Sequence, residues 1–357
     1  MASPTAPFRV ALLGVGTVGR ATADSLVRDA GRLAEAAGRP IELAVIAART
    51  PARLQGLALP AGTQVLADPH AAVEVPGLDA VVELMGGDSP AGEIVEAALR
   101  AGRSVVTANK HLLAARGQAL ETTARQAGAR LRFEAAVGGG TPVLRVCASD
   151  LAAVRIECVR GVINGTTNWI LDAMERDHLG AGAALAAAQV AGYAETDPSF
   201  DVDGIDAADK LVILVRLAFG TWISPAAVAR IAVDGPGAGR PGIRGVEATD
   251  VAAAEARGHR IRVIAEARRT AAGIVASVVP REIDPDDPLA RAHGIGNVVV
   301  FEGEPAGTVM VAGPGAGGPA TAAAVLADVA ALARGEGSTW AGSAAAAVGL
   351  LATEAAR

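Results

Sequence analysis

Near its N-terminus the chain changes character abruptly. An apolar run, Phe8–Leu13, breaks at Gly14-Val15-Gly16-Thr17-Val18-Gly19 and continues as a helical pattern to about Ala37. A G-x-G-x-x-G string on its own says little, but one that ends a strand and opens a helix is informative. Gly14 permits the tight turn, Gly16 lets the backbone approach a pyrophosphate, and Gly19 allows close helix–sheet packing. The helix N-terminus, with Thr17 and Val18 in its first turn, offers unpaired N–H groups to an anion.

That opening unit repeats. A second apolar run, 41–48, is nearly continuous, as a strand buried on both faces requires. Further strands are predicted over 63–66, 78–84, 104–107 and 130–137. Helices are predicted over 90–101, with Ser89 as N-cap and Pro90 in the first position, and over 111–127, closed by Gly128. Strand and helix in alternation specify an α/β fold, a Rossmann-type doubly wound parallel sheet. After Pro142 the pattern changes to a helix, a strand over 154–163, a helix from Trp169 and a long helix over 206–219. A helix at 249–258 is then followed by runs at 261–267, 274–279 and 298–301, which suggests an α+β domain on a mixed or antiparallel sheet. Gly313 to Gly318 leads into a helix over 320–334, and an Ala-rich helix is predicted over 343–356.

Composition removes several classes of function. The net charge is −6, from 32 Lys and Arg against 38 Asp and Glu, which argues against binding nucleic acid by phosphate neutralisation. Although 51% of residues are hydrophobic, there is no uninterrupted apolar stretch of about 18 residues, so no membrane span is expected. Residues 1–7 lack the cationic and apolar regions of a secretory signal. Two cysteines, Cys147 and Cys158, make neither a disulfide framework nor a zinc site and fit a reducing cytoplasm. Small residues abound and rings are few: 43 Gly against 5 Phe, 3 Trp and 1 Tyr. A GC-rich coding bias would produce the same excess.

Five segments carry candidate chemistry. The second predicted strand ends Ala47-Ala48-Arg49-Thr50, with Arg53 close by, where an acidic residue would bind the ribose hydroxyl of NAD. Arg49 would instead pair with a 2′-phosphate, which favours NADP, with NAD as the alternative if Arg49 is only a solvated loop residue. Glu83-Leu84-Met85-Gly86-Gly87 and Thr107-Ala108-Asn109-Lys110 lie at carboxyl ends of strands, where open α/β sheets bind ligands. Lys110 thus falls at the crevice, although a solvated helix-cap lysine would read the same way. Glu134 to Thr141 holds three successive glycines, whose free carbonyls could line a site or ligate a hard cation. The richest segment runs from Gly192 to Lys210, with six acidic residues within sixteen positions ending at the lysine. Asp206 and Lys210, four apart at a helix start, share a face. A lysine at the wet end of an apolar helix suits a proton donor or an oxyanion stabiliser. An acidic surface loop with one ion pair remains the bland reading. A Ca²⁺ loop fits the composition, but the spacing is not that of an EF-hand.

Taken together, GVGTVG, ELMGG, VVTANK, EAAVGGGTP, GVINGTTNWIL, YAETDPSFDVDGIDAADKLVIL and AGPGAGGPATAAAVLADV resemble homoserine dehydrogenase over nearly the whole chain. The resemblance implies NAD(P)-dependent interconversion of L-aspartate 4-semialdehyde and L-homoserine, on the route to threonine, methionine and isoleucine. It implies that Lys210 donates the proton, that Asp206 orients it, and that Lys110 is a second candidate for proton transfer. It places Glu195 on the substrate amino group, with Tyr193, Asp201, Thr166 and Thr167 around the substrate. It adds Gly86, Gly87 and Gly315 to the cofactor contacts, beside Gly14, Gly16, Thr17, Val18, Gly19, Arg49 and Lys110. Glu134, Val137, Gly139 and Thr141 match a loop that holds a monovalent cation, sodium first. The implied domains are 1–140 for the dinucleotide, 141–305 for substrate and dimerisation, and 306–357 as C-terminal helices that return to the first. A cytoplasmic homodimer is implied.

About 23 residues follow Arg334, too few for the regulatory ACT domain of many relatives, so no such domain and no threonine inhibition through it are expected. Two other readings stay open: a dehydrogenase for another amino-acid aldehyde, and an idle nucleotide sensor. The presence of both Lys110 and Lys210 speaks against the sensor.

Overall fold

The computed structural model describes residues 6–348, which form two units. One comprises residues 6–142 together with Gly317–Ala345; the other comprises Val143–Ala316 and residues 346–348. The expected boundaries were 140 and 305. The second crossing lies at Ala316 because residues just after 305 form a strand of the second unit.

In the first unit, β1 (Phe8–Leu13), β2 (Ile41–Ala47), β3 (Gln64–Leu66), β4 (Ala80–Glu83), β5 (Ser104–Thr107) and β6 (Leu131–Arg132) form one parallel sheet. Its order is β3-β2-β1-β4-β5-β6, the doubly wound arrangement, whose switch point lies between β1 and β4. Central strands are buried on both faces, which is why β1 and β2 read as unbroken apolar runs. The helices Thr17–Arg28 and Gly318–Ala333 share one core with this sheet, through Ala23, Leu26, Val325 and Val329 against Val10 and Leu12. The helix Lys110–Ala127 is capped at its start by Asn109, which accepts from the Leu112 N–H (3.1 Å), and closed by left-handed Gly128.

In three places the structure differs from the pattern expected of the nucleotide-binding half and of the C-terminal segment. The helix predicted from Pro90 is Ala91–Arg100, with Pro90 itself at the cap and no capping by Ser89. The strand predicted over 130–137 stops at Arg132 and becomes a short 3₁₀ turn, Glu134–Ala136. There the Phe133 and Glu134 N–H groups donate to the Thr339 hydroxyl (3.1 Å) and the Asp328 carboxylate (2.7 Å), not to a neighbouring strand. The C-terminal helix expected from Ser343 is not formed over the described residues. Residues 343–346 are irregular and Ala347–Val348 is a strand, β13; the rest of that prediction lies outside the described residues.

The second unit is built on an antiparallel sheet of β7 (Arg155–Val162), β9 (Arg260–Thr270), β10 (Gly273–Ile283), β11 (Gly296–Glu304) and β12 (Gly307–Pro314). Their order is β10-β9-β7-β11-β12, while the two-residue β8 (Thr221–Trp222) pairs separately with β13. The buried helix Ile205–Phe219 packs against β7, β9 and β10. Sequence reasoning missed the helix Ala181–Val190, whose alanines carry no amphipathic pattern, and the edge strand β12, whose residues are mostly exposed. The helix expected from Trp169 is Gly165–Arg176, starting four residues earlier because Asn164 caps it. Among the described residues, no helix is long and apolar enough to cross a membrane.

Candidate active site

The first unit opens a cleft of about 390 Å³ beyond the carboxyl ends of β1, β2 and β4. Gly14, Val15, Gly16, Arg49, Arg53 and Met85 line it. The three motif glycines have separate reasons to be small. Gly14 sits at φ +94°, with an added Cβ falling 2.6 Å from the Leu84 carbonyl oxygen. A Cβ on Gly19 would lie 2.1 Å from the Gly14 carbonyl oxygen. Around Gly16 there is nothing within 4 Å. Packing therefore accounts for Gly14 and Gly19, while Gly16 leaves a bare stretch of backbone facing the cleft at the helix N-terminus, as a pyrophosphate would need. Thr17 is exposed and Val18 half-buried on that first turn.

No carboxylate lines the cleft at the end of β2, where Arg49 is exposed and makes no ion pair among the described residues. The end of β2 therefore offers the cleft a guanidinium and no opposing acid among its lining residues.

Glu83 at the end of β4 is fully buried, and its surroundings explain why. One carboxylate oxygen accepts from the Met85 and Gly86 N–H groups (2.7 and 3.0 Å), the other from the Thr107 hydroxyl (2.6 Å). Thr107 accepts in turn from the Asn109 N–H (3.0 Å), and the Asn109 amide donates to the Gly87 carbonyl (2.6 Å). The Leu84–Gly87 loop and the Thr107–Lys110 turn are therefore tied through one carboxylate. Lys110, half-buried, is the first residue of the helix that Asn109 caps. The sequence places Glu83 at the carboxyl end of a strand beside the crevice, but nothing local shows that its carboxylate joins two loops.

The loop after β6 is buried through Gly139, and successive left-handed glycines, Gly138 (φ +77°) and Gly139 (φ +57°), turn it. Within it the Glu134 carbonyl accepts from the Val137 N–H (3.4 Å) and the Gly138 carbonyl from the Thr141 N–H (2.8 Å). Among the described residues, no cluster of His, Cys, Asp and Glu has the makings of a site for a softer metal.

In the second unit, part of the polar segment predicted from sequence gathers around one side chain, while Asp203 turns away to pair with Arg244. Lys210 lies one turn after Asp206 on the helix Ile205–Phe219, and both are buried. The Lys210 ammonium donates to Asp206 Oδ2 (2.7 Å) and to the Ile163 carbonyl at the end of β7 (2.7 Å). Its third hydrogen has no partner among the described residues. Asn164 joins this group: its amide donates to Asp201 (2.7 Å) and Asp206 (2.8 Å), while its oxygen accepts from the Thr167 N–H (2.8 Å) and hydroxyl (3.0 Å). Burial chiefly raises the pKa of Asp201 from its ordinary value; the Asn164 hydrogen bond opposes the rise and the charge of Asp206 adds to it.

Thr166 donates to the Tyr193 carbonyl (2.9 Å), and the Tyr193 ring lies 5.5 Å from that of Trp169, which sets the 193–195 segment beside the same helix start. Glu195 is exposed and makes no ion pair among the described residues, so it stands outside the Lys210 network. At Gly315 an added Cβ would fall 2.2 Å from the Asn297 amide oxygen, so packing within this unit already demands a glycine there. Asn164 and Asn297 escaped the sequence reading. The Asn-Gly-Thr-Thr string after a strand was a capping signal for Asn164; nothing marked Asn297.

Comparison with known proteins adds names to this geometry. The family model described as homoserine dehydrogenase matches residues 142–330, and that described as homoserine dehydrogenase, NAD binding domain, matches residues 14–134. The homoserine dehydrogenase of Pseudomonas aeruginosa is 41% identical over 323 residues, covering 90% of this chain and 71% of that protein. A crystal structure of a homoserine dehydrogenase from Thiobacillus denitrificans superposes with a TM-score of 0.87 at 39% identity, covering 93% of this chain and 74% of that one. A hyperthermophilic archaeal homoserine dehydrogenase in complex with NADPH gives a TM-score of 0.73 at 27% identity, covering 91% of this chain and 97% of that one.

Proposed function

The chain belongs to the homoserine dehydrogenase family, and from that premise we propose a division of labour among its residues. Its activity is the family's: nicotinamide-dependent interconversion of L-aspartate 4-semialdehyde and L-homoserine in amino-acid biosynthesis. Bound nicotinamide dinucleotide supplies or accepts the hydride. Gly14, Gly16, Gly19 and the first turn at Thr17 and Val18 hold its pyrophosphate, with Gly86, Gly87 and Gly315 as further contacts. Arg49 selects NADPH by pairing with the 2′-phosphate.

The observation that carries the catalytic assignment is the buried Lys210, held by Asp206 and the Ile163 carbonyl with one N–H left over. As the aldehyde carbon gains hydride, the carbonyl electron pair moves onto oxygen, and Lys210 gives that oxygen a proton. Lys110 is the second candidate for this transfer. The substrate ammonium needs a carboxylate, and unpaired Glu195 supplies it; Tyr193, Thr166, Thr167 and Asp201 border the same ligand. Glu134, Val137, Gly139 and Thr141 would hold a monovalent cation, sodium first, which would brace the loop after β6.

The test is NADPH oxidation with L-aspartate 4-semialdehyde, run in parallel with NADH and with and without Na⁺ or K⁺. NADPH is expected to give the higher kcat/KM. Arg49→Ser is expected to cut that preference by about 10-fold or more, the scale of one charge-assisted hydrogen bond. A wild-type ratio at or below unity would overturn the NADP assignment.

A homodimer in the cytoplasm completes the proposal. β12 is an edge strand with no pairing on its outer side among the described residues, and Met310 on it is 38% exposed. Such an edge is a template for a second chain. Sedimentation is expected to give twice the 35.5 kDa chain mass; a monomer at micromolar concentration would contradict it.

A further inference from the structure

We propose that Asn164 is a positioning residue for the Lys210 proton transfer. Its side-chain amide clamps Asp201 and Asp206 together, so that Asp206 presents a fixed oxygen to the lysine. This rests on the assignment of Lys210 above.

The geometry is specific to an amide. Asn164 is buried at the end of β7, at the cap of the helix Gly165–Arg176. One face of its side chain works on that helix: the oxygen accepts from the Thr167 N–H and hydroxyl. The other face does something capping does not require. The nitrogen donates both its hydrogens to carboxylates from two other elements, Asp201 on the short helix Ser199–Val202 and Asp206 on the helix Ile205–Phe219. Asp206 Oδ2 then receives Asn164 from one side and Lys210 from the other, at 2.8 and 2.7 Å. Two carboxylates this close repel one another, and the twin donor between them is what holds both in place. The charged groups facing Asn164 are therefore Asp201, Asp206 and, through Asp206, Lys210.

The two faces can be separated by mutation. Asp and Ser are both good N-caps, so Asn164→Asp and Asn164→Ser keep the helix start. Asn164→Asp, however, turns the twin donor into a third carboxylate beside Asp201 and Asp206. Asn164→Ser keeps at most one donor. For Asn164→Asp we expect kcat for aldehyde reduction to fall about 10- to 100-fold at neutral pH, the scale of hydrogen bonds to a charged group. Activity should recover as the pH drops and one carboxyl of the trio takes up a proton, becoming a donor again. Asn164→Ser should show a smaller fall, without the acid recovery. Circular dichroism of both variants checks the fold, and Asn164→Ser carries the test if Asn164→Asp does not fold.

Wild-type kcat and a wild-type pH profile in both variants would reduce Asn164 to a helix cap and overturn the proposal. Lys210→Ala is assayed alongside. Turnover retained there would overturn the underlying assignment of the site instead, so the two failures are distinguishable.

Discussion

Lys210→Ala is expected to lower kcat in both directions by on the order of 10² or more, the usual contribution of a positioned general acid. The argument rests on what the lysine holds and what it leaves open. Two of its hydrogens are committed to Asp206 and to the Ile163 carbonyl, which fixes the nitrogen. Only the remaining one can reach a substrate oxygen, so the loss should appear in kcat more than in KM. Lys210→Arg retains the charge, but a guanidinium does not release its proton near neutral pH, so its turnover should be poor as well. Removing the ammonium also leaves Asp206 buried without its cation, a change that can cost about 3–5 kcal/mol. Asn164 still donates to that carboxylate and tempers the cost. Thermal melts of both variants alongside the rates separate a chemical defect from an unfolded one. Near wild-type turnover in Lys210→Ala would remove the lysine from the mechanism and leave Lys110 as the donor.

The second large effect is expected from Gly16→Val. With no atom within 4 Å of the added Cβ, the substitution should leave the melting temperature close to wild type. A side chain there would stand between the backbone and the cofactor's pyrophosphate. A steric penalty of about 1–3 kcal/mol on a ligand contact raises the cofactor KM by roughly 5- to 150-fold. Gly19→Val makes the contrast, because its Cβ would lie 2.1 Å from the Gly14 carbonyl oxygen and the unit itself must distort. Gly16→Val should therefore fold and fail to bind, and Gly19→Val should fail to fold. An unchanged KM for NADPH in Gly16→Val would mean that the dinucleotide does not cross this turn.

Local patterns made most of the first unit legible. β1 and β2 are continuous apolar runs because both faces are covered, and Gly128 is a helix stop because only a left-handed residue fits. The glycine string, Lys110, Asp206 and Lys210 were likewise visible, and the structure does bring Asp201, Asp206 and Lys210 together. What escaped depends on partners far away in sequence. β6 ends early because Asp328 and Thr339, some two hundred residues on, take the N–H groups a neighbouring strand would have used. Glu83 reads only as a residue at the crevice and Asn164 only as part of a turn, since nothing local announces that a carboxylate will be fully buried or that one amide will meet two acids. The helix 181–190 and β12 lack the periodic contrast that burial on one face imprints.

The knot at Glu83 bears on how this enzyme can be altered. One carboxylate takes three hydrogen bonds from two crevice segments, and Asn109 ties the second segment back to the first. Segments joined in that way do not vary independently. A loop from another dehydrogenase grafted over 84–87 would arrive without its matching 107–110 turn and would strand a buried charge. The two are one transplantable module, with Glu83 as its root, and redesign of the crevice has to move the whole of it or none.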